Sequence, residues 1–90
     1  MKIVFCKIDI FDLHQNIYII DTNTQYIVAK VTTDELPRAL AIIGNENKVD
    51  KITLSGNADF CTKIKQDTTY CLNKYNYNNI EIEVVKWIFY

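Results

Sequence analysis

Titratable side chains gather where the first apolar run of the chain ends. Asp9, Asp12 and His14 follow one another closely there, and Asp59 lies farther along the chain. Carboxylates are preferred ligands of Mg²⁺ and Mn²⁺, and a pair of such ions can drive phosphodiester hydrolysis. A histidine can act as a general base when a nucleophile lies within hydrogen-bonding reach. Asp9, Asp12 and His14 are therefore candidate catalytic residues, and the three aspartates are candidate metal ligands.

Each of these residues also has a structural interpretation. Asp9 lies late in an apolar strand pattern, on the same face as Ile3 and Phe5, so its carboxylate would be costly to bury unless it capped a loop or paired with Lys7 or Lys51. His14 lies in a polar connection, where a solvated side chain is the plainer explanation. The sequence leaves both interpretations open.

A second candidate site is the segment Ser55-Gly56-Asn57, which precedes a helical pattern. Backbone N–H groups at the start of a helix can bind an anion, so this segment is a candidate ligand site. The chain contains neither the P-loop pattern nor the Gly-x-Gly-x-x-Gly pattern of dinucleotide sites. The alternative is a tight strand-to-helix turn in which Asn57 or Asp59 is the N-cap.

Apolar periodicity predicts the elements that must position these residues. Three strand patterns come first, followed by a helix, a strand, a second helix and a last strand. The predicted strands span residues 2–10, 16–21, 25–31, 49–54 and 80–84, and the predicted helices run from 33 or 34 to near 44 and from 58 to about 75. Pro37 fits only in the first turn of its helix, because deeper in a helix it would cost about 3 kcal/mol. The first strand is apolar on both alternating faces, so we predict that it is central and covered on both sides.

The order of these elements predicts how the two candidate sites meet. A helical crossover makes the fourth strand parallel to the strand beside which it lies, and a central first strand would be that neighbour. Open sheets bind ligands at the carboxyl ends of strands, where the connections diverge. We therefore expect Asp9 to lie beside the segment Ser55-Gly56-Asn57.

This β-β-β-α-β-α-β order, with Asp9 late in the first strand, resembles the ribonuclease H-like fold over nearly the whole chain. The resemblance implies an α/β domain with a mixed five-stranded sheet, as in many nucleases, resolvases and actin-like ATPases. In that superfamily the first-strand aspartate binds a divalent metal together with a carboxylate near the end of the fourth strand and another on a later helix. Asp9 matches the first position. The fourth-strand position holds Ser55-Gly56-Asn57 without a carboxylate, and the long helix for the last acid is missing or reduced.

Composition predicts one ordinary globular domain spanning residues 1–90. Hydrophobic residues make up 49% of the chain, charged residues 23%, and the net charge is -1, so bulk charge does not favour nucleic-acid binding. Lys7 and Asp9 interrupt the first apolar run before it reaches the length of a secretion signal, and no segment approaches the roughly 20 apolar residues that span a bilayer. The three cysteines cannot all pair within one molecule, which predicts reduced core thiols and a cytoplasmic location.

Aromatic residues gather toward the C-terminal end of the chain and alternate with lysines. The set comprises Tyr70, Tyr75, Tyr77, Trp87, Phe89 and Tyr90 with Lys74 and Lys86. Such residues can cover a sheet, form a protein interface or stack on single-stranded nucleic acid. We predict an interface at Tyr77, Trp87, Phe89 and Tyr90, either for a protein partner or for self-association by edge pairing of the last strand.

The missing carboxylates favour a small cytoplasmic protein-interaction module without a cofactor. The alternative is a nuclease or resolvase-like enzyme that depends on Mg²⁺ or Mn²⁺ and has an incomplete or shared carboxylate site. A small chain rich in Ile, Asn and Lys would suit a bacteriophage or mobile-element accessory protein.

Overall fold

The computed structural model describes residues 2–8, 16–77 and 79–85 and confirms the predicted order of strands and helices. The described elements are β1 (Ile3–Ile8), β2 (Asn16–Asp21), β3 (Ile27–Thr32), α1 (Leu36–Glu46), β4 (Lys51–Gly56), α2 (Ala58–Lys74) and β5 (Glu81–Val85). They form one compact α/β unit.

The strands form a mixed five-stranded sheet in the order β3-β2-β1-β4-β5. Strand β1 is central, antiparallel to β2 and parallel to β4, with Ile3 opposite Lys51 and Ile8 opposite Gly56. Strand β5 is parallel to β4. The predicted pairing of the first and fourth strands is therefore confirmed, and the carboxyl ends of both strands lie at the same end of the sheet.

A turn built on Asp21 joins β2 to β3. The Asn23 N–H donates to the Asp21 carboxylate at 2.9 Å, and the Gln25 N–H donates to the Asp21 carbonyl at 2.7 Å. Gln25 has a φ of 60°, in the left-handed region, where an extended strand cannot continue. Strand β3 consequently begins at Ile27 rather than at residue 25.

Helix α1 begins later than its sequence pattern predicts. The N–H groups of Glu35 and Leu36 donate to the carbonyls of Thr32 and Thr33, which closes a turn before the helix. The helix therefore begins at Leu36 and not at residue 33 or 34. Pro37 lies in the first turn, as predicted, where its missing N–H leaves no helical hydrogen bond unmade.

Gly44 lies inside α1, and the prediction that the helix ends there is wrong. A Cβ at Gly44 would come within 2.6 Å of the Ile80 Cδ1 atom, so the missing side chain lets the helix approach the residue before β5. The helix continues to Glu46. A buried glycine that permits close packing and a glycine that ends a helix look alike in sequence.

Helix α2 follows its predicted pattern closely. Cys61, Ile64, Thr68 and Leu72 are its buried residues, as the apolar stripe predicts. Two further members of the predicted stripe differ, because Cys71 is half-buried and Tyr75, just after the helix, is 45% exposed. Thr68 fits in the core because its hydroxyl donates to the Ile64 carbonyl at 2.7 Å.

Both helices pack on the same face of the sheet, over a core that includes Leu36 and Leu40 from α1 and Cys61 and Ile64 from α2. That face buries Val4, Cys6 and Ile8 of β1, together with Ile17, Ile19, Ile52, Leu54 and Ile82 of the other strands. The whole described core lies between this face and the two helices.

On the opposite face of β1, Ile3 and Phe5 are half-buried and Lys7 is exposed. Within residues 2–8, 16–77 and 79–85, no helix lies on this side of the sheet, so the predicted cover on both sides of β1 is not found in the described part. We call this side the open face. Strand pairing and alternation assign to it Ile3, Phe5, Lys7, Asn16, Tyr18, Ile20, Ile27, Lys30, Thr32, Lys51, Thr53, Ser55, Glu81, Glu83 and Val85. Of these, Ser55 is buried.

Candidate functional site

The carboxyl ends of β1 and β4 approach each other closely through Gly56. This residue has a φ of 142°, and a Cβ built on it would lie 2.0 Å from the Ile8 carbonyl oxygen. Only glycine avoids both the unfavourable φ and the contact with backbone. Ser55 is 8% exposed beside it. Strand β4 therefore continues through Ser55 to Gly56, beyond its predicted end at residue 54.

Asn57 caps helix α2. Its side-chain oxygen accepts a hydrogen bond from the Phe60 N–H at 3.1 Å, and its φ and ψ are extended. This geometry decides between the two predicted caps, because Asp59 lies in the first turn of the helix instead. Ser55, Gly56 and Asn57 thus have packing and capping roles, and their ligand role stays a prediction.

The candidate residues for metal chemistry fall mostly outside the described part of the chain. Asp9, Asp12 and His14 lie in the segment 9–15 between the first two described ranges. Asp59 is exposed in the first turn of α2, close to the helix cap Asn57 and just after the strand that pairs with β1. Among the residues that the structure describes, no three His, Cys, Asp or Glu side chains lie close enough together to hold a metal ion.

Tyr77 is the one member of the predicted aromatic interface whose surroundings are described. Its hydroxyl donates to the Val49 carbonyl at 3.1 Å, and the Lys48 ammonium lies 5.3 Å from its ring centre. The ring is half-buried and packs against the core. Tyr77 therefore ties the end of α2 to the start of β4, while Trp87, Phe89 and Tyr90 lie outside the described residues.

The open face carries an apolar band across the first three strands of the sheet. One row of paired residues crosses all five strands in the order Ile27, Ile20, Phe5, Thr53 and Glu83. Ile27 is 59% exposed and Tyr18, in the next row, is 45% exposed, although a covered sheet would bury such side chains. The sequence signal for this face was the alternation in β2, where Ile17 and Ile19 point to the core and Tyr18 points away.

The charged residues of the open face are lysines on three strands and glutamates on one edge strand: Lys30 on β3, Lys7 on β1, Lys51 on β4, and Glu81 and Glu83 on β5. Lys30 of the edge strand β3 lies 5.8 Å from the Tyr18 ring centre, a cation–π arrangement. Glu83 of the other edge strand, β5, pairs with Lys51 at 2.5 Å. A hydrogen bond from Lys51 to Glu83 raises the pKa of the lysine, and the charges of Glu83 and Glu81 act in the same direction. On the open face, the edge strand β3 is therefore basic and the edge strand β5 is acidic.

A groove of about 740 Å³ runs along β5 on the helix side, between Ile82 and the polar side chains of Thr62, Gln66 and Thr69. The Glu81 N–H donates to the Asp50 carbonyl, toward β4. By alternation, the backbone N–H and C=O groups of Ile82 point away from β4. This edge is the place where the predicted edge pairing would occur.

Two cysteines lie in the core, as predicted. Cys6 and Cys61 are fully buried, and burial followed by the neighbouring Cys61 raises the pKa of Cys6 to about 12. Burial also raises the pKa of Cys61. Both thiols are therefore protonated at neutral pH, and neither is an activated nucleophile.

The chain matches no family model and no curated protein. Its function therefore has to be argued from its own residues. In the described ranges, no helix has the length and apolar character needed to cross a membrane.

Proposed function

We propose that the protein is a non-catalytic interaction module with a ribonuclease H-like sheet, and that it binds a partner protein through the open face. The strand order β3-β2-β1-β4-β5 and the parallel pairing of β1 with β4 support the fold assignment. The exposed apolar band supports the binding role. The sequence predicts an interface at the C-terminal aromatic residues. The interface proposed here is instead the open face of the sheet.

The observation that carries the proposal is the one-sided core. Helices cover alternate residues of β1 on one side, while Phe5, Ile20 and Ile27 form an apolar row on the other. Burying apolar surface contributes about 25 cal/mol per Å², so a partner that covers this row gains stability from it. Exposed apolar patches rimmed by polar residues are typical of protein interfaces.

The position of Tyr18 and Tyr70 allows a matched experiment. Both tyrosines are exposed, at 45% and 63%, and each has a lysine ammonium over its ring, Lys30 for Tyr18 and Lys74 for Tyr70. Tyr18 lies on the open face, whereas Tyr70 lies on α2. Replacing either residue by serine removes a similar side chain from a different surface.

The test is affinity capture from cells of the native source with the wild-type protein, Tyr18→Ser and Tyr70→Ser. We expect Tyr18→Ser to lose the partner and Tyr70→Ser to retain it, with binding then repeated on the purified partner. Circular dichroism of both variants checks that they fold. Equal recovery by the two variants would contradict the proposal.

One observation favours the enzyme alternative as a second candidate. Since β1 is parallel to β4, the last described residue of β1, Ile8, lies at the same end of the sheet as Gly56, which precedes Asn57 and Asp59, and Asp9 is next to Ile8 in the sequence. Titration with Mg²⁺ or Mn²⁺ in the presence of DNA and RNA tests this candidate. Metal-dependent cleavage that Asp9→Asn abolishes, in a variant that still folds, would establish an enzyme in place of a binding module.

A further inference from the structure

We infer that the partner of the open face is a second copy of this chain, packed face to face with a two-fold axis parallel to the strands. This inference rests on the proposed function, because it names the occupant of the same surface. Three features carry it: the charge of the two edge strands, the central position of Phe5 and the size of the face.

Charge on the open face is asymmetric about the central strand. The edge strand β5 carries Glu81 and Glu83, and the edge strand β3 carries Lys30. Strand β1 is third of the five, so the acidic and basic edges lie at equal numbers of strands from it. Lys7 of β1 and Lys51 of β4 also lie on this face, and Lys51 pairs with Glu83. The two edge strands are therefore complementary in charge after rotation about an axis that runs along β1.

A two-fold axis parallel to the strands places β3 of each copy over β5 of the other. Lys30 of one copy then lies one row of paired residues away from Glu83 of the other copy. This is a separation of about 7 Å along the strand direction, which a lysine side chain can bridge. This contact occurs twice in the dimer, as in every isologous interface. An axis perpendicular to the strands would instead oppose the carboxylates of β5 to each other, which like-charge repulsion disfavours.

The same axis places one end of the apolar band at the centre of the dimer, with Lys7 of β1 one row away. Phe5 lies on the central strand, so the two Phe5 rings meet near the axis. Ile20 of one copy then opposes Thr53 of the other, because β2 and β4 flank β1. A central aromatic pair surrounded by partly polar residues is the usual arrangement of an interface.

The size of the face places such a dimer among the small, weak interfaces. Five strands about 4.8 Å apart and about six residues long give an area of roughly 24 × 20 Å, so two faces bury on the order of 1,000 Å². This value lies at the lower limit for specific interfaces. We therefore expect a dimer with a dissociation constant in the micromolar range.

Sedimentation equilibrium over a range of concentrations tests the inference with charge reversals. We expect Lys30→Glu and Glu83→Lys each to weaken dimerisation at least about tenfold, and the double variant Lys30→Glu/Glu83→Lys to restore it, because each copy then presents the reversed pair. Lys63→Glu, on the exposed side of α2, is the matched control and should leave the dimer unchanged. The double reversal separates the charge contact from a loss of folding.

Three results would overturn the inference. One is a wild-type chain that stays monomeric up to about 1 mM. Another is a dimer that Lys30→Glu leaves intact, and the third is a double variant that does not recover. If hydrogen exchange shows that dimerisation protects the β5 backbone and not the open face, edge pairing is the interface instead. A chain that does not dimerise can still bind another protein through the open face. In that case Tyr18→Ser fails to capture the partner and Tyr70→Ser retains it, which supports the proposed function without the dimer.

Discussion

Gly56 lies against the backbone of Ile8, and a Cβ at residue 56 would come within 2.0 Å of the Ile8 carbonyl oxygen. The contact lies at the carboxyl ends of the paired strands β1 and β4, where Gly56 has a φ of 142°. It couples the pairing of the central strand to the start of helix α2. Any side chain here has to push the two strands apart.

Gly56→Ala should consequently destabilise the protein by about 3 kcal/mol or more, because backbone strain adds to a clash with backbone that no rotamer relieves. Chemical denaturation followed by circular dichroism measures the change in the free energy of unfolding. A loss below about 1 kcal/mol would show that the strands can separate at little cost.

Gly44→Ala should respond differently, because the atom it meets is the end of a side chain. The added Cβ would lie 2.6 Å from Ile80 Cδ1, and a helical alanine is favoured over glycine by about 1 kcal/mol. We expect Gly44→Ala to destabilise the wild-type chain and to stabilise the Ile80→Val variant, which lacks that atom. A double-mutant cycle of unfolding free energies measures the coupling, and additive effects would contradict this account.

The Asn57 cap predicts a third effect. Asn57→Ala leaves the Phe60 N–H without its side-chain acceptor and should cost about 1 kcal/mol, whereas Asn57→Ser keeps an acceptor and should cost much less. Thermal unfolding of both variants measures the difference. An equal loss in the two variants would mean that the side chain stabilises something other than the helix end.

Alkaline pH should destabilise the fold through its buried thiols. The pKa of Cys6 is raised from 9.0 to about 12, so the folded state keeps a proton that the unfolded state releases above about pH 9. The stabilisation is complete below pH 9 and is lost as the pH rises toward 12, with a slope of up to about 1.4 kcal/mol per pH unit for each such thiol. Cys61 contributes in the same direction.

Cys6→Ala removes one of the titrating thiols and should flatten this dependence, even though the smaller side chain lowers stability at every pH. Urea denaturation at several pH values from about 8 to about 11 gives the slopes to compare, and these values cover most of the interval between the normal thiol pKa of 9.0 and the raised pKa of about 12. Parallel curves for the variant and the wild type would contradict the assignment.

Much of the fold could be predicted because the spacing of apolar residues along the chain changes at each boundary between a strand and a helix. The double-sided apolar pattern of β1 correctly predicted its central position, and the helical stripe through Thr68 correctly predicted the buried side of α2. These patterns reflect burial, which the sequence encodes directly.

Element ends were harder to predict because they depend on single backbone contacts. The sequence pattern predicted a helix end near Gly44. This glycine instead lets the helix pack closely against Ile80, a residue far away in the sequence. The sequence pattern allowed Gly56 to be part of a turn. In the structure Gly56 pairs with Ile8, so β4 extends to residue 56. Tertiary packing decides between the possible roles of a glycine, and periodicity carries no information about it.

The candidate site was only partly predictable for a related reason. The sequence placed Ser55, Gly56 and Asn57 at the correct edge of the sheet, and the structure gives them packing and capping roles. The sequence analysis did not single out the open face, because its members Tyr18, Ile20 and Ile27 come together only when the pairing of β2 and β3 is known. Strand register, rather than residue type, creates this surface.

Site-specific photo-crosslinking tests the central claim, that the open face is the interaction surface, most directly. A benzophenone-bearing residue replaces Tyr18 in one protein and Tyr70 in the other, and both are irradiated in native cells and in purified form. The account predicts a cross-linked protein, either a partner or a second copy, from position 18 and none from position 70. Cross-links from position 70 alone, or from neither position, would contradict it.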